Sequence, residues 1–273
     1  MASTVLRLTS PPSVPLECDV LTPDVLAPLT REEIAALPVY HGNQRQRLDA
    51  FFRVEGDGSD TIEVHGDCLR VKNIGRGMTR GRITVVGRAG FHLGAQMRGG
   101  TIEVRGDATD WVGAEMTGGT ILIHGNAGNQ IGAAYRGSPT GMRGGTIVVD
   151  GDAGGELGAR MRGGLIAVRG AVGDFAGTGM RGGTLVLTGR PGSRLGAWMR
   201  RGTIVTFVPP TPLPTFIFNC SYVPVFLRLY FDVLTRLGVQ IPEGAVDTPY
   251  EHYSGDHADD GKGEILVWTG ACG

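Results

Sequence analysis

With 273 residues, 41% of them hydrophobic, the chain is long and apolar enough to bury a substantial core, which excludes a disordered tail. Its 26 basic and 27 acidic residues leave a net charge of -1, so no global electrostatic pull toward nucleic acid or an anionic membrane is expected. The basic side is lopsided, because Lys72 and Lys262 are the only lysines and all other cations are arginine.

The first stretch, "MASTVLRLTSPPSVPL", lacks the basic start and continuous apolar run of a secretory signal, and the expected compartment is the cytoplasm. Cys18, Cys68, Cys220 and Cys272 lie far apart, with no C-x-x-C and no histidine at a zinc-like spacing, and read as reduced thiols. Residues 1–60 form an N-terminal extension. Within it "LTREEIAALP" has the capping-box pair Thr30 and Glu33 and a proline stop at Pro38, which predicts a short helix.

Residues 61–207 repeat. Met78, Met97, Met116, Met142, Met161, Met180 and Met199 follow one another at 19, 19, 26, 19, 19 and 19 residues. The single long interval contains seven extra residues, "YRGSPTG" at 135–141, expected to project as a polar loop without shifting the frame. Counting a degenerate first copy, "SDTIEVHG", there are eight strand motifs, and 36 of the 46 glycines fall in this span. Ile102 and Val104, Ile121 and Ile123, Ile147 and Val149, Ile166 and Val168, and Leu185 and Leu187 alternate with more variable residues, the period of a strand. A glycine pair precedes each of these five strands, and "LGAxM" or a close variant completes the copy.

A unit of that length with no helix-length segment cannot bury its apolar face alone and must stack on its neighbours. The prediction is an all-β fold, a right-handed parallel β-helix of about eight coils with a short N-terminal extension and a C-terminal helical extension. Left-handed hexapeptide helices need a multiple of six residues per turn, the leucine-rich pattern is absent, and the calcium-binding nonapeptide pattern is kept only in fragments at Asp67, Asp107, Asn126 and Asp152. The middle strand position reads Glu63, Thr84, Glu103 and then Leu122, Val148, Ala167, Val186, Val205, so one outer face turns from polar to apolar. A stripe of that kind is expected to be covered, by the strap and helix at residues 209–237.

Residues 208–273 close the chain. An uncharged stretch at 202–227 carries Pro209, Pro210, Pro212, Pro214 and Pro224, too many for a membrane helix, and reads as an extended apolar strap. "SYVPVFLRLYFDVLTRLG" then reads as a helix ended by Gly238, with Phe226, Leu229, Tyr230, Val233 and Leu237 on one face. Val225, Leu227, Phe231 and Leu234 make the other face apolar too, so this helix calls for cover on more than one side.

No P-loop, nucleophile elbow, zincin motif or repeat-placed carboxylate pair is present, and the six histidines are scattered. Arg105, His124, Asp150 and Arg169 share one position in adjacent coils and read as a cross-strand charge ladder. Another row, Arg98, Arg143, Arg162, Arg181 and Arg200, interrupted by Thr117, stacks like charges that repel unless an anionic group meets them. This row is the candidate site for an anionic partner. No catalytic or metal residue is assigned.

The coils with "LGAxMxGGTIxVxG", the preceding "LTREEIAALPVYHGNQRQRLDAFFRVEGD" and the ending "HYSGDHADDGKGEILVW" resemble the C subunit of formylmethanofuran dehydrogenase, closest to its bacterial counterpart in the formyltransferase/hydrolase complex of methylotrophs. The coils alone also resemble the β-helical domain of the glutamate synthase large subunit. The first resemblance implies a non-catalytic scaffold subunit whose partners are an amidohydrolase-like subunit, a formyltransferase subunit and a formate-dehydrogenase-like subunit. It implies that the complex, rather than this chain, uses a methanofuran-like cofactor and tetrahydromethanopterin, and converts the formyl group to formate. An archaeal-type tungsten or molybdenum complex, a cryptic enzyme with a groove on the β-helix, and a stand-alone β-helical binding protein are the alternatives.

Overall fold

The computed structural model of the protein describes residues 3–270, so Cys272 lies outside the described residues. Eight strands follow the repeat: Thr61–His65, Arg82–Val86, Thr101–Val104, Thr120–Ile123, Thr146–Val149, Leu165–Val168, Arg181–Leu187 and Arg201–Thr206. Each pairs in parallel with the next, and the register is kept by equivalent residues: Ile83 with Ile102, Ile102 with Ile121, Ile121 with Ile147, and onward to Ile204. The insertion falls between coils without disturbing that register. A second parallel ladder links Cys68, Ala89, Ala108, Ala127, Ala153 and Val172. Along the LGAxM segments a third set of bonds runs from coil to coil, as where the Gly113 N–H donates to the Leu93 carbonyl at 2.8 Å. These three ladders make a parallel β-helix.

The marker methionine and the glycine pair are two halves of one packing device. All seven methionines of the repeat are fully buried. A side chain on Gly164 (φ +93°) would meet the Met142 methyl at 2.7 Å, and one on Gly163 would meet the Arg143 carbonyl oxygen of the coil below at 2.4 Å. The second glycine therefore makes room for the preceding coil's methionine and takes a backbone conformation that costs other residues energy. The first lets two coils touch. Inside, Ile102, Val104 and their equivalents are buried to 1% exposure or less, and they form the ladders that supply the main driving force.

Both ends continue the sheet. Strand Thr4–Leu8 pairs in parallel with Thr61–His65 and antiparallel with Phe52–Glu55, so the N-terminal extension caps the first coil. Its helix, Arg31–Ala35, begins at Thr30 with the capping box to Glu33. At the other end Lys262–Trp268 adds in parallel to Arg201–Thr206, followed by Tyr250–Gly255 and, at the edge, Ile217–Tyr222, both antiparallel.

The apolar stripe is covered. Val148, Ala167, Val186 and Val205 form a second core with Leu227, Phe231 and Leu234 of helix Leu227–Arg236, joined by Val239, Ala245 and Tyr250. The inward face of the helix is Leu227, Phe231 and Leu234; Phe226, Tyr230 and Leu237 pack partly buried against the same core, while Leu229 and Val233 are 73% and 42% exposed. Two expectations change here. The proline strap does not cover the stripe: its Leu213 and Phe216 join the interior core, and Phe216 packs over Gly196 and Gly255 to plug the last coil. Ser221 and Tyr222, at the start of the stretch read as a helix, instead end the strand Ile217–Tyr222, and the helix begins at Leu227. Among the described residues no helix is long and apolar enough to cross a membrane.

Gly163→Ala is expected to destabilise the chain by about 2 to 4 kcal/mol, since the new methyl meets backbone that cannot move aside; chemical denaturation measures this. Val186→Glu, which places a charge at a fully buried position, should cost about 3 kcal/mol or more, whereas Leu229→Glu on the exposed helix face should stay within about 0.5 kcal/mol. Equal midpoints for the two would contradict the covered stripe.

Candidate functional site

Outward-facing polar residues on this scaffold come in rows, and most rows satisfy themselves. Beside the strand sheet, the Arg82 and Arg105 guanidinium groups lie 3.2 and 3.3 Å from Glu103. His124 lies 2.9 Å from Asp150, which also pairs with Arg169 at 3.3 Å. The predicted charge ladder is thus completed by Glu103 from the neighbouring row. Residues with fragments of the calcium pattern hold the coils together instead, since the Asp107 carboxylate accepts the Asn126 N–H, the Asn126 side-chain oxygen accepts the Asp152 N–H, and the Asp152 carboxylate accepts the Ala171 N–H. Each acceptor rises to the next coil. Among the described residues no group of His, Cys, Asp and Glu is placed to hold a metal ion. Cys18 and Cys68 are buried thiols, and burial pushes the Cys68 pKa up to about 12, which makes it inert; Cys220 is exposed.

The arginine row behaves differently. Its backbone is held in register by N–H donation from Arg98, Arg143, Arg162, Arg181 and Arg200 to the methionine carbonyls of the coil below. All five side chains are exposed. Arg200 pairs with Asp259 of the C-terminal segment at 2.9 Å, while no carboxylate among the described residues lies within ion-pairing distance of Arg98, Arg143, Arg162 or Arg181. The acid expected to meet the row is thus present in this chain at one position.

Next to that row lies a feature that sequence reasoning missed. In each LGAxM segment the residue before the first apolar position and the residue before the methionine have positive φ, and both point outward: Trp111 (+66°), Phe175 (+62°), Arg160 (+57°) and Trp198 (+57°) occupy such positions. Elsewhere the same position is Gly77 or Gly179. The inserted loop does not project freely. Tyr135 stacks on Trp111 with ring centroids 5.0 Å apart, its hydroxyl lies 3.0 Å from His92 Nδ1, and Arg160 donates to the Ser138 carbonyl at 2.8 Å. Folded back in this way, the loop walls with Tyr135 and Arg136 a groove of about 640 Å³ whose other lining includes Phe175, Trp198 and Glu156. A sequence signal exists only for Arg160 and Trp198, which precede the methionine where Gly77 and Gly179 stand in other coils; Trp111 and Phe175 share their position with Asn73, His92, Gln130, Glu156 and Arg194.

Charge tunes the loop. Burial, with Lys72 and Arg76 nearby and Glu17 and Asp110 opposing, holds the His92 pKa below the ordinary imidazole value, so the ring is neutral and its Nδ1 can accept from Tyr135. Burial acts to raise the Glu115 pKa, but Ser138, the Gln96 amide, the Tyr135 N–H and the Arg143 guanidinium outweigh it and leave the carboxyl below the usual range.

Comparison with known proteins assigns the class and then the family. A family model described as the GXGXG motif matches residues 69–211, more than half of the chain, and defines a β-helix of GXGXG type. The chain is similar to the C subunit of the molybdenum-containing formylmethanofuran dehydrogenase 1 of Methanosarcina barkeri, 43% identical over 98 residues covering 34% of this chain and 33% of the relative. It is also similar to the C subunit of the tungsten-containing formylmethanofuran dehydrogenase 2 of Methanothermobacter thermautotrophicus, 36% identical over 100 residues covering 35% and 37%. The matched stretch thus spans about a third of the length of these curated relatives. A solved chain in the formyltransferase/hydrolase complex of Methylorubrum extorquens, crystallised with methylofuran, superposes with a TM-score of 0.89 at 35% identity, over 97% of this chain and 99% of that one. The chain belongs to the family of formylmethanofuran dehydrogenase C subunits.

A pKa held below its unfolded value contributes stability that is complete above the unfolded value and lost as pH falls through the folded one. Loop docking is therefore expected to loosen on acidification in two stages, below the ordinary histidine value of 6.5 and then below the ordinary glutamate value of 4.5. Hydrogen exchange of residues 135–141, followed from about pH 7 to about pH 4 and corrected for intrinsic rates, measures it. A flat protection profile would rule out this linkage.

Proposed function

We propose that the chain is a non-catalytic scaffold subunit of a cytoplasmic formyltransferase/hydrolase complex, one that converts formyl-tetrahydromethanopterin to formate by way of a formylated furan cofactor. The observation that carries this reading is the superposition on a chain of such a complex over nearly the whole of both chains, extensions included. The extensions matter because a coil motif alone also serves other β-helical proteins, whereas the caps and the covering helix are built for this chain. Amidohydrolase-like, formyltransferase and formate-dehydrogenase-like subunits are the proposed partners, and the carrier cofactors belong to them.

The chemistry of the described residues supports a scaffold role. Carboxyls held below their usual range tie coils, loop or C-terminal segment together: Asp67 pairs with Arg88 at 2.6 Å, Glu115 seats the loop, and Asp256 accepts the Trp198 N–H at 2.9 Å. The curated relatives favour one further reading, a component of a molybdenum or tungsten formylmethanofuran dehydrogenase.

Affinity purification of the native protein decides between them. The isolated chain is expected to show no formyl transfer or hydrolysis, and the co-purified assembly to show both, without stoichiometric molybdenum or tungsten. Turnover by the isolated chain would refute the scaffold reading, and either metal in the active assembly would favour the second.

A further inference from the structure

From the groove beside the loop and the arginine row that borders it, we infer that this face receives an extended acidic segment of a partner subunit, anchored by an apolar or aromatic residue against Trp198 and Phe175. The inference rests on the hetero-oligomeric reading above and adds the surface and the chemistry of the contact.

Three observations converge on it. The first is charge. Twelve arginines form ion pairs with carboxylates of this chain. Of the twelve other arginines, with no carboxylate among the described residues within the same distance, Arg136, Arg143, Arg160, Arg162 and Arg181 lie on consecutive coils, the last four registered by N–H bonds to the coil below or above. Arg160 and Arg162 flank Met161, which brings the groove wall and the row together. Against Glu156, the one carboxylate that lines the groove, this is a local excess of cations, and planar guanidinium groups match carboxylates in particular.

The second is strain. Trp198 is 60% exposed at φ +57°, a backbone state that disfavours bulky side chains, at a position that Gly179 fills in the coil below. Folding gains nothing from an exposed tryptophan there, whereas a binding surface gains a rigid anchor. The third is shape. The groove runs across five coils from Trp111 to Trp198. At a strand spacing of about 4.8 Å it is about 19 Å long, the reach of about six extended residues. Tryptophan, tyrosine and arginine are also the residue types that dominate protein interfaces.

The test uses the co-expressed assembly with Trp198→Gly and, separately, Arg162→Glu with Arg181→Glu. Glycine suits the backbone at 198, and the N–H bond from that residue to Asp256 is retained, so the isolated Trp198→Gly chain should melt at or above the wild-type temperature. Each variant assembly should lose at least one partner subunit by about tenfold at about 0.15 M salt, and the arginine effect should shrink as salt rises. Wild-type recovery by both variants overturns the inference while leaving the scaffold reading intact; a wild-type chain that brings down no partner refutes that reading and this inference with it. A photo-cross-linker, p-benzoylphenylalanine, in place of Trp198 should capture an acidic stretch of a partner. Capture of a neutral or basic stretch would refute the proposed chemistry.

Discussion

Every coil of this protein lies one strand spacing from a near copy of itself, so each repeat position must tolerate its own image above and below. Much of the sequence follows from that condition. Aliphatic residues meet it best, and the interior is a set of such stacks, Ile83 on Ile102 on Ile121. Side-chain acceptors meet it by reaching for the next coil, as Asp107, Asn126 and Asp152 do in succession. The corner meets it by having no side chain at all: Gly163 rests on the Arg143 carbonyl and Gly164 over the Met142 methyl. Like charges meet it worst, and beside the sheet Glu103 and Asp150 are interleaved with cations to relieve them.

A stack that can always accept one more coil has a problem at its ends. Unfinished parallel edges are templates for pairing with other chains. Here the N-terminal end is closed by Thr4–Leu8 and Phe52–Glu55, with a small sheet of Pro38–His41 and its neighbours beside the first coil. The C-terminal end is plugged from inside by Phe216 and extended outside by three strands, the last two running antiparallel. Reversal of direction breaks the parallel repeat. The same C-terminal segment lays its helix on Val148, Ala167, Val186 and Val205, so ending the stack and covering its apolar flank are done by one continuous stretch of chain.

How much of this could be read in advance depends on whether a residue's role repeats. The frame, the strand residues and the glycine corners recur, and their roles could be read from the pattern; the capping box at Thr30 and Glu33 is local chemistry and was equally legible. The helix Leu227–Arg236 presents two apolar faces with one copy each, and only tertiary packing selects Leu227, Phe231 and Leu234. Thr84 looked like part of a solvated polar face, yet it is buried at 8% exposure between Glu63 and Glu103, whose longer side chains shield it. The groove was illegible for the opposite reason. Trp111, Phe175 and Trp198 stand at repeat positions but in no regular order, and the loop that joins them occurs once.

That irregularity bears on what such a scaffold can do. The rows outside a β-helix run parallel, and neighbouring rows meet only locally, as Glu103 and Asp150 do with the cations beside them. They present fixed intervals along a line, a geometry suited to recognising another extended surface. A concave surface comes from the one departure from the repeat, where residues 135–141 fold back so that Tyr135 faces Trp111 and Arg136 lines a groove with Phe175 and Trp198. The side chains that meet there are aromatic rings and guanidinium groups, with Glu156 among them. Its regular part keeps the distances, and its one irregular part gathers aromatic and charged side chains from several coils at one place.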